Sequence, residues 1–215
     1  FDVIAAVEGG TTNSKVSVID GATGLELWNF AAPTAVHHIV VGDVNDDGVP
    51  DVAAATAFSP LQVMMINGVS PHNTLWITPV QLATNVQGMG IGDLNDDNVP
   101  DILVPGTSTN KNAHALNGIN GSLLWSFPTG GEVNCCMVYD VDLDGYNEAL
   151  VGSDDQNIYV IDGITGTTEW SYSTAGDVMD VAVGDISGNG RPNIACVTFD
   201  SHGIVYAFAS LATAL

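Results

Sequence analysis

Basic side chains are almost missing from this sequence. Lys15, Lys111 and Arg191 stand against 25 Asp and Glu residues, for a formal net charge of −22. That balance excludes nucleic acid as a partner, because a phosphate backbone is held by a basic surface that three cations cannot make. Cysteine is scarce as well, and Cys135, Cys136 and Cys196 are too few for a disulfide framework. No run approaches the ~18 apolar residues of a membrane-spanning helix, so no membrane span is expected. Apolar residues at the helical period are also lacking, whereas short alternating runs rich in β-branched residues recur. With 46% apolar residues and 24 glycines, the 215 residues predict one loop-rich, all-β domain with a sizeable core. The chain opens on Phe1, with no signal-peptide pattern, and reads as a processed or excised segment from which any export signal would already have gone.

What the sequence does have is oxygen-bearing side chains at alternate positions of a nine-residue loop. Asp43, Asn45, Asp47 and Asp51 occupy positions 1, 3, 5 and 9, with Gly48 at position 6 and Val49 at position 7. Calcium takes six to eight hard oxygen ligands, and a short loop wraps it when alternate side chains and one carbonyl, here that of Val49, face a common centre. A left-handed residue at position 6 supplies the bend.

The loop recurs at intervals of about 45–50 residues, the period of a propeller blade. The second copy is Asp93, Asn95, Asp97, Val99 and Asp101, and the third is Asp140, Asp142, Asp144, Tyr146 and Glu148. In the second, Asn98 stands where the glycine was, a residue that tolerates the left-handed region. The fourth copy, Asp185, Ser187, Asn189, Arg191 and Asn193, keeps one carboxylate and brings a cation, so it is a weaker ligand set. Three calcium (Ca2+) sites are therefore expected, with the fourth loop in doubt. Position 12 is Ala54 or Val104 rather than the closing Glu of an EF-hand, and an apolar β-type run follows each loop. Asp2 matches position 9 of a loop whose beginning is missing.

Each whole repeat contains four short strands, one before the loop and three after it, the last carrying a tryptophan. Trp28, Trp76, Trp125 and Trp170 hold equivalent places and are expected to pack between blades. An Asp-Gly or Asn-Gly pair, as at Asp20, Asn67, Asn117 and Asp162, signals the hairpin before each of them. The expected architecture is a β-propeller of four-stranded antiparallel blades, about five in number, with incomplete terminal blades. The blades span 37–80, 85–130 and 132–176, flanked by partial ones at 1–33 and 177–215. Unpaired terminal edges raise the expectation of self-association.

The run from Gly42 to Ala55 and its repeats resemble the FG-GAP and VCBS repeat families, calcium-binding propellers of integrin α-subunits and of many secreted proteins. The second half of each unit, such as Val160 to Trp170, looks like the tryptophan repeat of pyrroloquinoline-quinone-type propellers. The resemblance implies a non-catalytic, calcium-stabilised, extracellular or cell-surface scaffold for adhesion, surface structure or filament formation. Its partners would be proteins or glycans. Two alternatives follow from the same likeness. One is a fragment of a quinoprotein dehydrogenase, for which Cys135-Cys136 is a formal match but the near-absence of basic residues is adverse. The other is a lectin-like propeller. The histidines at 37, 38, 72, 114 and 202 show no metal-ligand spacing and read as surface or packing residues. Cys135 and Cys136, adjacent on a strand, face opposite ways, and Cys196 reads as a small core residue.

Overall fold

The structure is a computed structural model, and it describes residues 2–7, 14–56, 61–78, 88–106, 109–200 and 203–209. The described residues form five antiparallel sheets in chain order. The first holds β1 (Val3–Val7), β2 (Lys15–Ile19) and β3 (Glu26–Ala31). The second is β4 (Val36–Gly42), β5 (Asp51–Thr56), β6 (Val63–Ile66) and β7 (Thr74–Ile77). In the third are β8 (Gly90–Gly92), β9 (Asp101–Pro105), β10 (Asn112–Leu116) and β11 (Leu123–Pro128). Next come β12 (Val133–Tyr139), β13 (Glu148–Ser153), β14 (Asn157–Asp162) and β15 (Thr168–Ser173). The last sheet is β16 (Asp177–Gly184), β17 (Asn193–Phe199) and β18 (Val205–Phe208).

Within each sheet the strands pair in simple up-and-down order, and the leading strands of successive sheets touch: β4 lies beside β8, β8 beside β12 and β12 beside β16, while β1 packs on β4. This is the blade stacking of a propeller. By position and by its tryptophan, β3 corresponds to β7, so the first sheet contains the equivalents of β5 to β7. The last sheet contains the equivalents of β4 to β6.

Four clusters of buried side chains fill the four seams between adjacent sheets. They explain why the middle strands are not amphipathic. Ala53 and Ala55 pack toward the third sheet, whereas Val52 and Ala54 pack toward the first. Likewise Ile102 and Val104 serve one seam and Leu103 the other. A strand covered on both faces reads as a continuous apolar run, and β5, β9 and β13 are buried along their whole length. Alternation survives on the outer strand β3, which has one face in water.

Cys135 joins the seam toward the last sheet and Cys136 packs against the opposite seam; both are free thiols, as is the buried Cys196. Burial pushes the Cys135 thiol up to about 12. His114 is buried between Ser126 Oγ at 2.8 Å and Asn110 Nδ2 at 3.0 Å, and His72 stacks on Trp28 with ring centroids 4.2 Å apart. His37 is exposed and His38 half-buried on β4, and position 202 lies outside the described residues.

Candidate metal centre

Each nine-residue loop joins the leading strand of a sheet to the second strand, and all four fold alike. In the first, the Asp43 carboxylate accepts the N–H groups of Asp47 (3.2 Å) and Gly48 (2.8 Å). Asn45 Oδ1 accepts the Asp47 N–H at 3.1 Å, and Asp47 Oδ1 accepts that of Val49 at 2.9 Å. The second loop repeats this with Asp93 receiving Asn95, Asp97 and Asn98, Asn95 receiving Asp97, and Asp97 receiving Val99. In the third, Asp140 receives Leu143 and Gly145, Asp142 receives Asp144, and Asp144 receives Tyr146. These are Asx turns, in which a short side chain closes onto the backbone two or more residues on. The fourth loop makes them too, Asp185 accepting Asn189 and Gly190 and Asn189 accepting Arg191. The shape therefore does not depend on the number of charges.

Position 6 is left-handed as expected, with φ of +83° at Gly48, +64° at Asn98, +98° at Gly145 and +79° at Gly190. Position 4 is left-handed as well, at Asp46, Asp96, Leu143 and Gly188. No glycine marks it in three of the four copies, so it escaped the sequence reading. Two more features were missed. Position 2 (Val44, Leu94, Val141) is buried, and Val44 and Leu94 lie against Gly118 and Gly163, the hairpin glycines of the next blade. Those glycines sit on the carbonyl oxygens of Pro100 and Asn147, as Gly68 sits on that of Pro50, where a Cβ would collide. The apolar residue at every position 2 and the glycine in every hairpin were the available signals.

Position 9 begins the second strand and is buried at Asp51, Asp101 and Glu148. Asp51 accepts the N–H groups of Val44 (3.1 Å) and Gly68 (2.8 Å), and Asp101 those of Leu94 (2.9 Å) and Gly118 (2.8 Å). Glu148 accepts Val141 at 2.7 Å, and Asn193 accepts Ser187 at 3.0 Å. Asp2 makes the equivalent bond to Gly21 at 3.2 Å. At Asp51 and Asp101 position 9 thus ties the loop to the hairpin, whereas at Glu148 and Asn193 it closes the loop on itself.

In the third loop Asp140, Asp142 and Glu148 each place a carboxylate oxygen within 4.8 Å of the others, and among the described residues this is the one such group of three His, Cys or acidic side chains. Oxygens on opposite sides of a calcium ion lie about 4.6–5.2 Å apart, twice the metal–oxygen distance, so the trio fits that ion. Asp144 lies outside it. The first two loops have Asn45 or Asn95 where the third has Asp142, an amide that can ligate without adding charge.

Electrostatics agree with the fit. Burial pushes the Glu148 carboxyl up to about 8; Glu169, Asp142 and Asp140 add to the rise and the Val141 N–H opposes it. Asp101 is raised to about 6 by burial, helped by Asp97 and Asp93 against the N–H groups of Gly118 and Leu94. Asp51 and Asp142 shift the same way, burial again leading. Asp185 moves oppositely, lowered chiefly by the Gly190 N–H. Like charges gathered in this way favour a cation among them.

No family model matches the sequence, and no curated protein does. Among solved structures, the chain resembles BBS1N in complex with ARL6DN, soaked with mercury, at a TM-score of 0.74 and 14% identity, over 99% of this chain and 57% of that one. The lead-soaked form of that complex gives 0.68 and 13%, over 96% and 61%. Sqt1 of Saccharomyces cerevisiae gives 0.72 and 10%, over 99% and 55%. The chain thus spans between 55% and 61% of the solved chains it matches. These findings correct the expectation of an extracellular adhesion, surface-structural or filament-forming scaffold. The structures it resembles are propeller-type chains, two of them a propeller bound to a protein. At this level of identity the likeness shows the fold, and that fold is a β-propeller.

Proposed function

We propose that this chain is a non-catalytic propeller that binds protein partners and that its first three strand-entry loops hold calcium. The protein-binding half draws support from the BBS1N structures, in which a propeller is in complex with ARL6DN. The metal half is carried by one observation: three carboxylates, from Asp140, Asp142 and Glu148, converge at the start of a buried strand. The FG-GAP and VCBS likeness of the loops belongs with this reading. Asp43, Asn45, Asp47, Val49 and Asp51 would form the first site, Asp93, Asn95, Asp97, Val99 and Asp101 the second, and Asp140, Asp142, Asp144, Tyr146 and Glu148 the third. A bound cation offsets the repulsion within each loop. It thereby stabilises the seam on which the hairpin glycines rest.

The test is thermal unfolding in calcium and in chelator. An ion that binds the native chain alone stabilises it by RT ln(1 + [L]/Kd), about 2.7 kcal/mol at a hundred times Kd. A melting temperature several degrees higher in calcium is expected. Superimposable melting curves with and without millimolar calcium would remove the metal from the reading.

A further inference from the structure

We propose that the loop-bearing end of the propeller is a docking surface for a cationic, amphipathic protein segment. Val69, Ile119, Tyr146 and Ile164 would receive its apolar side chains, and Asp46 and Asp96 its cations. The inference rests on the protein-binding reading above and names the surface and the partner's chemistry.

The hairpins that precede the tryptophan strands and the nine-residue loops share one end of the molecule, because Gly68, Gly118 and Gly163 lie on the carbonyls of Pro50, Pro100 and Asn147. Immediately after each of these glycines comes an aliphatic residue, Val69, Ile119 or Ile164, and each is 40% to 55% exposed. Turn tips favour Gly, Asn, Asp and Ser, whose backbone preferences and local hydrogen bonds suit a turn. A valine or isoleucine there meets no conformational need, yet three successive blades carry one at the same place. Tyr146, 45% exposed on the third loop, extends the series. Apolar side chains repeated on one face and rimmed by polar groups mark an interaction surface.

The charges around this series define what fits it. Asp46 and Asp96 are exposed at position 4 of their loops, outside the expected ligand sets. Their left-handed backbone would accept asparagine as readily, and the third loop has Leu143 there, so the fold does not demand an acid. Across one seam the two kinds of residue meet. Asn147 Nδ2 donates to the Asp93 carbonyl at 2.9 Å, and a crevice of about 20 Å³ is lined by Asp93, Asp96, Gly145, Tyr146, Asn147 and Ile164. An apolar side chain on a partner can lie over Tyr146 and Ile164 while a neighbouring Lys or Arg reaches Asp96. With three basic residues in the whole chain, anionic partners are repelled and cationic ones steered in.

The experiment uses the 215-residue chain in millimolar calcium and about 150 mM salt, where exposed charges are screened beyond ~8 Å. A fluorescently labelled Leu/Lys peptide with amphipathic helical spacing is followed by anisotropy, beside a Lys/Gly peptide of equal charge and a Leu/Glu peptide. The Leu/Lys peptide is expected to bind most tightly. The pair Ile119→Ser and Ile164→Ser, which leaves net charge unchanged, should weaken it by about tenfold or more. Asp46→Asn with Asp96→Asn should weaken it and flatten its salt dependence. Phe199→Ser with Val205→Ser, on exposed residues of the last sheet, should leave it unchanged.

Equal binding of the Leu/Lys and Lys/Gly peptides would overturn the inference, since general attraction to an acidic protein would suffice. Tight Leu/Lys binding that ignores Ile119→Ser with Ile164→Ser would also overturn it, while leaving a protein-binding propeller with its surface elsewhere. Failure of wild type to bind the Leu/Lys peptide would overturn it too. The calcium reading is judged separately, from melts of the same samples.

Discussion

The indole Nε1 of Trp76 donates to the carbonyl oxygen of Gly118 at 2.6 Å, a bond that spans 42 residues of sequence and crosses a seam between sheets. Trp125 and Gly163 repeat it at 2.6 Å in the next seam. The N–H of the same Gly118 donates to Asp101 in its own blade. One glycine therefore links a loop carboxylate to the tryptophan of the preceding blade. Trp76→Phe should cost about 1–3 kcal/mol in urea unfolding, because a buried carbonyl loses its donor. Gly118→Ala should cost at least as much, since its Cβ would collide with the Pro100 carbonyl oxygen. Wild-type stability of Gly118→Ala would be incompatible with this packing.

Calorimetric titration of the chelator-treated chain with calcium should resolve three sites. Asp142→Ala and Asp97→Ala, which leave no side-chain oxygen to ligate, should each remove one, whereas Asn189→Ala should leave the count unchanged, because the fourth loop has one carboxylate to offer. Equal loss from Asn189→Ala would place the fourth loop on a par with the others.

Stability of the metal-free chain should fall as pH rises. Glu148 is held protonated by burial, so its folded pKa, about 8, exceeds the ordinary 4.5. A group raised in this way binds more protons folded than unfolded, so its contribution is complete below about 4.5 and lost by about 8. Asp101 acts in the same direction between 3.8 and about 6. Calcium, which binds the ionised carboxylates, should flatten or reverse the slope. Melting temperatures at pH 5 and pH 8, with and without the ion, test this. A metal-free chain more stable at pH 8 contradicts it.

Leu143→Asn should stabilise the protein by up to about 1 kcal/mol. The leucine is 53% exposed and held at φ +65°, a region costing an ordinary L-residue roughly 1–2 kcal/mol and asparagine less. Thermal melts compare the two, and a lower melting temperature for the variant would show that Leu143 packs more than its exposure indicates.

Thiol reagents should modify the native protein slowly. Burial raises Cys135, Cys136 and Cys196 alike, which starves each of the reactive thiolate. Titration with a chromogenic disulfide should find all three only on unfolding, and a rapid native reaction at Cys135 would show that its seam opens.

Much of the fold was legible because it is written in repeats. Four tryptophans and four loops at blade spacing gave the five sheets, and Asn98 could be recognised as a stand-in for glycine because asparagine shares its tolerance of positive φ. The hairpin glycines were legible as turn signals but not in their role. Gly24, Gly121 and Gly166 carry the positive φ, while Gly118 and Gly163 are required by carbonyls of residues distant in sequence. Position 4 of the loops stayed hidden because Asp46, Asp96 and Leu143 look ordinary there. The expected adhesion role failed for a different reason: a calcium-type loop specifies a turn and a ligand set, and neither carries information about the partner.

The sequence by itself determined the local chemistry: where the chain bends, which residues line the nine-residue loops, and how many sheets it can make. Those properties depend on neighbouring residues and on short-range preferences of the backbone. Only the tertiary structure decided that β5, β9 and β13 are covered on both faces, that Glu148 is buried beside other acids, and that Trp76 reaches Gly118. Such relations arise from one blade packing on the next, and contacts between segments some 40 residues apart leave no periodic trace in either segment alone.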